Sequence, residues 1–109
     1  MSTPVNITFQ DLHPSAALEA VIRDRASRLR IADERITNCR VALSRTRRRG
    51  RQGHIYQVRI EISRPGDDVV VSREPGLDHT HEDVYVAIRD AFDAARRQLH
   101  DHDHRRTGR

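Results

Sequence analysis

The chain contains no lysine and no tryptophan, and it has a single cysteine among its 109 residues. One cysteine excludes an internal disulfide and is typical of a reducing compartment. The low aromatic content, 4%, predicts a thin, mostly aliphatic core. No apolar run approaches the roughly 20 residues of a membrane-spanning helix, and the N-terminus lacks the pattern of a secretion signal. We therefore expect a single small cytoplasmic domain with no membrane partner.

The basic residues are all arginine. The 20 arginines outnumber 16 acidic residues, so the net charge is +4. Arginine presents a planar fork of donors that matches phosphate and is weakly hydrated. The chain has no basic amphipathic helix with bulky apolar anchors, so its surface suits nucleic acid better than a membrane.

Two segments have the apolar spacing of an amphipathic helix. In the first, Ser15 is predicted to cap a helix that runs to about Arg30. In the second, Thr80 is predicted to cap a helix that runs to Leu99, with Asp83 completing a capping box. The predicted buried face of this second helix consists of Val84, Ile88, Ala91, Phe92, Ala95 and Leu99. We predict that residues 1–100 form one domain and that residues 101–109 form a polar tail, which could extend the helix by one turn and is disordered at its end.

Alternating apolar residues predict strands over residues 5–9, 39–43 and 56–62, and the run Val69–Val71 predicts a fourth strand over residues 68–73. Cys39 lies on the apolar side of the second strand, which favours a small core residue over a nucleophile. The arginine-rich stretch Arg45 to Gly53 is predicted to be a mobile connection, and Arg64 to Asp67 a turn. The order β-α-β-β-β-α predicts an α+β fold, with both helices packed on one face of a mixed four-stranded sheet.

Motifs for catalysis are lacking. We find no Gly-rich phosphate loop, no defensible Ser–His–Asp spacing and no CxxC, and therefore predict neither an enzyme nor a cofactor. In the tail, only His100 and His104 would share a helix face. We interpret these histidines as solvated and predict no metal site, with a metal-sensing module as the alternative.

Arginine-rich segments occur on the first helix, after the second strand and near the end of the last helix. Helices that lie side by side would let these segments converge. No aromatic residue accompanies the arginines, which favours contacts to the phosphates and shape of folded RNA over base stacking.

The last helix also carries a resemblance. Asp83-Val84-Tyr85-Val86-Ala87-Ile88, followed by Arg97-Gln98-Leu99, resembles the Asp-x-Tyr-x-Ala-Ile and Arg-Gln-Leu pattern of the ribosome hibernation promoting factors and ribosome-associated inhibitor proteins. The resemblance covers roughly residues 4–104. It extends to Val5–Thr8, Ser15–Leu18, Arg35-Ile36 and Val41–Leu43.

The resemblance implies the same order of strands and helices. It also implies binding to ribosomal RNA of the small ribosomal subunit, in the channel for messenger and transfer RNA, and reversible inhibition of translation under stress. Arg25 and Arg28 match basic positions of the family's first helix, and Arg97 matches one on its last. The full set of candidate RNA-binding residues is Arg23, Arg25, Arg28, Arg47, Arg48, Arg49, Arg96 and Arg97.

The sequence departs from the family pattern at a few positions. Arg89 replaces a residue that is usually acidic, and Ala94, Asp101 and Asp103 stand where the family often has a basic residue. These departures support an alternative, a divergent RNA- or protein-interaction module of the same fold without ribosome inactivation. We expect a monomer or weak homodimer without a small-molecule substrate, and one that does not pair ribosomes by itself.

Overall fold

A computed structural model describes residues 4–47, 54–73 and 83–107 of the chain. Its elements follow the predicted order, strand–helix–strand–strand–strand–helix, and form the predicted α+β fold. They are β1 (Val5–Gln10), α1 (Ala16–Ala32), β2 (Asn38–Arg47), β3 (His54–Arg64), β4 (Asp67–Arg73) and α2 (Val84–Thr107).

The four strands form one mixed sheet in the order β1-β2-β3-β4. β1 is parallel to β2 because α1 provides the crossover that a parallel pair requires, and the other two pairs are antiparallel. A row of paired apolar residues, Ile7, Val41, Ile60 and Val71, crosses all four strands. Since side chains alternate along a strand, this row and its neighbours make one face of the sheet apolar.

The core lies between that apolar face and the two helices. α1 packs on β1, α2 packs on β3 and β4, and the helices contact each other. The predicted aliphatic composition is confirmed, since the largest fully buried side chains are Ile22, Leu43, Ile60, Ile62, Ile88, Val41, Val58, Val69 and Val71.

Cys39 belongs to this core, as predicted. Burial raises the pKa of its thiol to about 11. The thiolate, which is the nucleophilic form, is therefore not populated at neutral pH.

The N-terminus of α1 agrees with the sequence prediction, whereas the N-terminus of α2 differs from it. Ser15 caps α1, because its hydroxyl oxygen accepts a hydrogen bond from the amide of Leu18 at 3.2 Å. Thr80, the residue that we predicted as the cap of α2, lies outside the described residues. The helix begins at Val84, and the Asp83 carboxylate accepts hydrogen bonds from the amides of Tyr85 and Val86. Aspartate is as good a cap as threonine, and its charge also favours the positive end of the helix dipole.

Two other boundaries are corrected. The predicted connection from Arg45 begins too early, because β2 continues to Arg47 and pairs with β3 up to His54. The backbone ladder with β3 therefore extends β2 into the arginine-rich stretch. α2, which was predicted to end at Leu99 or one turn later, continues to Thr107.

The turn between β3 and β4 is confirmed as a two-residue connection, Pro65-Gly66. Gly66 has a φ of 91°, a conformation that glycine adopts without steric cost. The rest of the predicted arginine-rich connection, residues 48–53, lies outside the described residues, and so do the candidate residues Arg48 and Arg49.

Candidate nucleic-acid interface

A groove of about 240 Å³ runs between α1 and α2 on the helical side of the molecule. Three arginines from the two helices lie along it, together with one carboxylate, and two buried apolar side chains contribute to its lining. The lining residues are Arg25, Arg28, Leu29, Phe92, Asp93 and Arg96.

The apolar stripe of each helix sets the position of these arginines. On α1, Leu29 is buried, so Arg25 one turn before it and Arg28 directly before it lie beside the buried stripe. On α2, Phe92 is buried, and Arg96 follows it by one turn. Because the two stripes pack side by side on the same sheet, their flanking arginines meet over the junction of the helices.

Most of this positive charge is not neutralised by the residues that the structure describes. Arg25 and Arg96 form no hydrogen bond or ion pair with another residue that the structure describes. Arg28 contacts Asp24 at 3.1 Å, but both side chains are well exposed, at 67% and 59%. Such surface pairs contribute little and exchange readily, so the guanidinium groups of the groove can bind an external anion.

A second depression, of about 410 Å³, continues the arginine surface along α2. Arg96 lines both depressions, and Arg97, His100 and Asp101 complete the second. Because α2 extends to Thr107, Arg96 and Arg97 lie in the middle of the helix and not in its last turn, where the predicted boundary placed them.

Of the other candidate arginines, the structure describes Arg23 and Arg47, whereas Arg48 and Arg49 lie outside the described residues. Arg23 donates hydrogen bonds to the backbone oxygen of Val5 at 3.3 Å and to Glu19 at 3.2 Å, which ties α1 to β1. Arg47 is the last residue of β2. The structure therefore brings together Arg25, Arg28 and Arg96, with Arg97 adjacent, and places Arg23 outside this groove.

Sequence reasoning missed one member of the groove, Asp93. It is partly buried and lines the groove with the three arginines. Its position three residues before Arg96 and directly after Phe92 is the only signal for it, since the predicted helix places it at the border of the apolar face.

A second group of arginines, at the end of the sheet, was also missed. Arg64 donates to Asp33 at 2.6 Å, and both side chains are buried, at 1% and 9% exposure. Arg35 adds two further side-chain hydrogen bonds to Asp33. Burial alone raises the pKa of Asp33, but the hydrogen bonds from Arg35 and Arg64 outweigh it and hold the pKa below its usual value.

The outer face of the sheet differs from the groove in its charge. A depression of about 400 Å³ there is lined mainly by polar residues, among them Arg40, Arg59 and Glu61. Arg59 forms an ion pair with Glu61 at 3.3 Å. This face therefore carries mixed charge, whereas the groove is mainly cationic.

Within the part of the chain that the structure describes, no group of three or more histidine, cysteine, aspartate or glutamate side chains could hold a metal ion. The same residues include no helix that is long and apolar enough to cross a membrane. His79, His81, His102 and His104 have no described side chains.

A sequence model described as "Sigma 54 modulation protein / S30EA ribosomal protein" matches residues 5–107. No sequence among the curated proteins matches this chain. Among solved structures, the chain is similar to a ribosomal subunit interface protein from Coxiella burnetii, with 16% identity and a TM-score of 0.73 over 93% of this chain and 98% of that one. It is also similar to the Protein Y N-terminal domain from Thermus thermophilus, with 18% identity and a TM-score of 0.63 over 89% of this chain and 96% of that one. At these identities, the structural similarity establishes the fold.

Proposed function

Because this chain belongs to the Sigma 54 modulation protein / S30EA ribosomal protein family, we propose that it binds the small ribosomal subunit and inhibits translation. In this proposal, it contacts ribosomal RNA in the channel for messenger and transfer RNA. The observation that carries the proposal is the convergence of Arg25, Arg28 and Arg96 along one groove. A related fold in a protein described as a ribosomal subunit interface protein supports it.

The chemistry of the groove suits a folded RNA backbone. A guanidinium group forms charge-assisted hydrogen bonds with phosphate oxygens, and three such groups on a rigid pair of helices favour closely spaced phosphates. Leu29 and Phe92 line the groove but are buried, so the described lining of the groove offers no exposed aromatic ring for base stacking. Recognition therefore depends on phosphate position and RNA shape.

The proposed mechanism is steric occlusion. A bound domain would exclude messenger and transfer RNA from the space it occupies. Because the contacts are ionic hydrogen bonds and no covalent bond forms, release needs only competition or higher salt, and inhibition is reversible. Binding that depends on phosphate contacts weakens steeply as salt rises.

The first test is co-sedimentation with purified small subunits at 50 and 200 mM salt, the range in which phosphate contacts lose most affinity. We expect the protein to sediment with the subunits at the lower concentration and to be largely released at the higher. Prior loading of the subunits with messenger and transfer RNA should prevent binding. Protein that stays at the top of the gradient at the lower salt concentration would contradict ribosome binding.

A matched pair of variants locates the surface. Arg25→Ala/Arg96→Ala removes two charges from the groove, and Arg40→Ala/Arg59→Ala removes two from the outer face of the sheet. We expect the groove variant to lose about tenfold or more in affinity, and its salt dependence to fall by about one unit per arginine. The sheet variant should stay within about threefold of the unchanged protein, because long-range attraction between exposed charges is screened. Equal losses would assign binding to overall charge and not to the groove.

A second candidate function is an interaction module that binds RNA or protein without inhibiting translation. Asp101 favours it, since this carboxylate lies in the second depression beside Arg96 and Arg97 and lowers its positive charge. Arg89 favours it as well, because this residue stands where the family usually has an acidic one. Its guanidinium donates a hydrogen bond to Asp90 at 3.2 Å. A translation assay separates the two functions, because the module would leave protein synthesis unchanged at concentrations that saturate its binding to subunits.

A further inference from the structure

Asp93 is an acceptor in a groove that otherwise presents donors. The arginine side chains beside it carry N–H groups and no acceptor. Arg96 and Arg97 follow Asp93 at three and four residues, the spacings at which helical ion pairs form. Neither bonds to it, and Asp93 has no hydrogen bond or ion pair with any residue in the described ranges. Its oxygens are thus available to a ligand that binds in the groove.

A carboxylate at this position is unfavourable for a ligand that offers phosphate alone. Its charge repels phosphate and weakens the attraction of the three arginines. It becomes favourable when the same ligand also brings a hydrogen-bond donor to the groove. In RNA, each phosphate is accompanied by a ribose 2′-hydroxyl, which can donate, whereas DNA lacks this group.

We propose that Asp93 accepts a hydrogen bond from a ribose 2′-hydroxyl and makes the groove selective for RNA. The inference rests on the proposed function, since it takes the groove as the RNA-binding surface. Arg25, Arg28 and Arg96 bind the flanking phosphates, and Asp93 reads the sugar between them. Because Asp93 is partly buried beside Leu29 and Phe92, its hydrogen bond is less exposed to competition from water than one at Asp101, which is exposed.

The test compares an RNA hairpin with a 2′-fluoro hairpin of the same sequence. The fluoro sugar keeps the helical form and the phosphates but has no hydroxyl donor. We expect the unchanged protein to bind the RNA hairpin about tenfold more tightly, as for loss of one hydrogen bond to a charged group. Asp93→Ala should bind both hairpins within about twofold of each other. Asp93→Asn retains an acceptor oxygen and should keep part of the preference.

Asp24→Ala is the matched control, because it removes one negative charge beside Arg28 on α1. It should strengthen binding to both hairpins and leave their ratio unchanged. Alanine is the best helix former, so neither alanine variant endangers folding. Equal binding of the two hairpins by the unchanged protein would overturn the role of Asp93 while leaving the proposed function intact. If the unchanged protein bound neither the hairpins nor small subunits, both the role of Asp93 and the proposed function would be refuted.

Discussion

The groove between α1 and α2 and the contact between Asp33 and Arg64 both place arginine near aspartate, but in opposite environments. Arg25 and Arg96 lie along an open groove without bonds to other described residues. Arg64 is almost fully buried, and its guanidinium donates to Asp33 at 2.6 Å. A charge that is buried must be paired for the fold to tolerate it, whereas an exposed charge is available for a partner. The first arrangement is thus suited to binding, and the second to stability.

The largest effect that this comparison predicts is on folding. Arg64→Met leaves Asp33 buried with one fewer donor, so we expect a loss of about 3 kcal/mol in the free energy of unfolding, at the lower end for a broken buried pair. Arg35→Ala should cost less than about 1 kcal/mol, because the Arg35 side chain is 54% exposed. Urea unfolding of the two variants measures both values. Similar losses would show that burial does not distinguish these arginines.

The second prediction concerns pH. Although burial raises the pKa of Asp33, hydrogen bonds from Arg35 and Arg64 lower it overall, from an ordinary value of 3.8. The folded state therefore binds the proton less tightly than the unfolded state. The resulting stability is fully present above pH 3.8 and is lost as the pH falls below that value.

Asp33→Asn removes this titration, so its unfolding free energy should depend less on pH between about 5 and 2. The measurement is urea unfolding of both proteins across that range, compared as the difference between them, which cancels the other carboxylates. Parallel curves would mean that Asp33 contributes no pH dependence.

The smallest expected effect is on the stability of a groove variant. Arg25→Ala/Arg28→Ala/Arg96→Ala removes only exposed or partly exposed charges and one surface ion pair with Asp24. We expect its free energy of unfolding to change by no more than about 1 kcal/mol, while the salt dependence of RNA binding falls by about one unit per arginine. Urea unfolding and hairpin titration on the same preparation test both. A large loss of stability would mean that the groove arginines, like Arg64, contribute to folding.

Local patterns predicted the parts of the fold that depend on local physics. Alternating apolar residues predicted three strands and the Val69–Val71 run predicted the fourth, while the Ser15 cap followed from its position before the apolar stripe of α1. The predicted boundaries were wrong where pairing with a distant segment determines the end of an element. β2 reaches Arg47 because β3 supplies partners for it, and no local feature of Arg45 to Gly53 reveals that pairing.

The candidate site was predictable only as far as local patterns along the chain determine it. Helical periodicity placed the arginines of α1 on its flanks and outer face, and the family resemblance singled out Arg25 and Arg28. The structure brings these two together with Arg96. Arg64 and Asp33 are 31 residues apart, and no spacing rule connects them. Asp93 borders the apolar face of the predicted helix, but only the packing of α1 beside α2 puts it in the groove.

Asp33 also has a role at the end of α1, where its own amide donates to Leu29 and closes the last turn. Its carboxylate holds Arg64, the residue that precedes the Pro65-Gly66 turn. One residue therefore fastens a helix terminus to a hairpin. In native-state hydrogen exchange, the amides of these two segments should open together as a single cooperative unit, so a disturbance at the hairpin would be transmitted to the helix that carries Arg25 and Arg28.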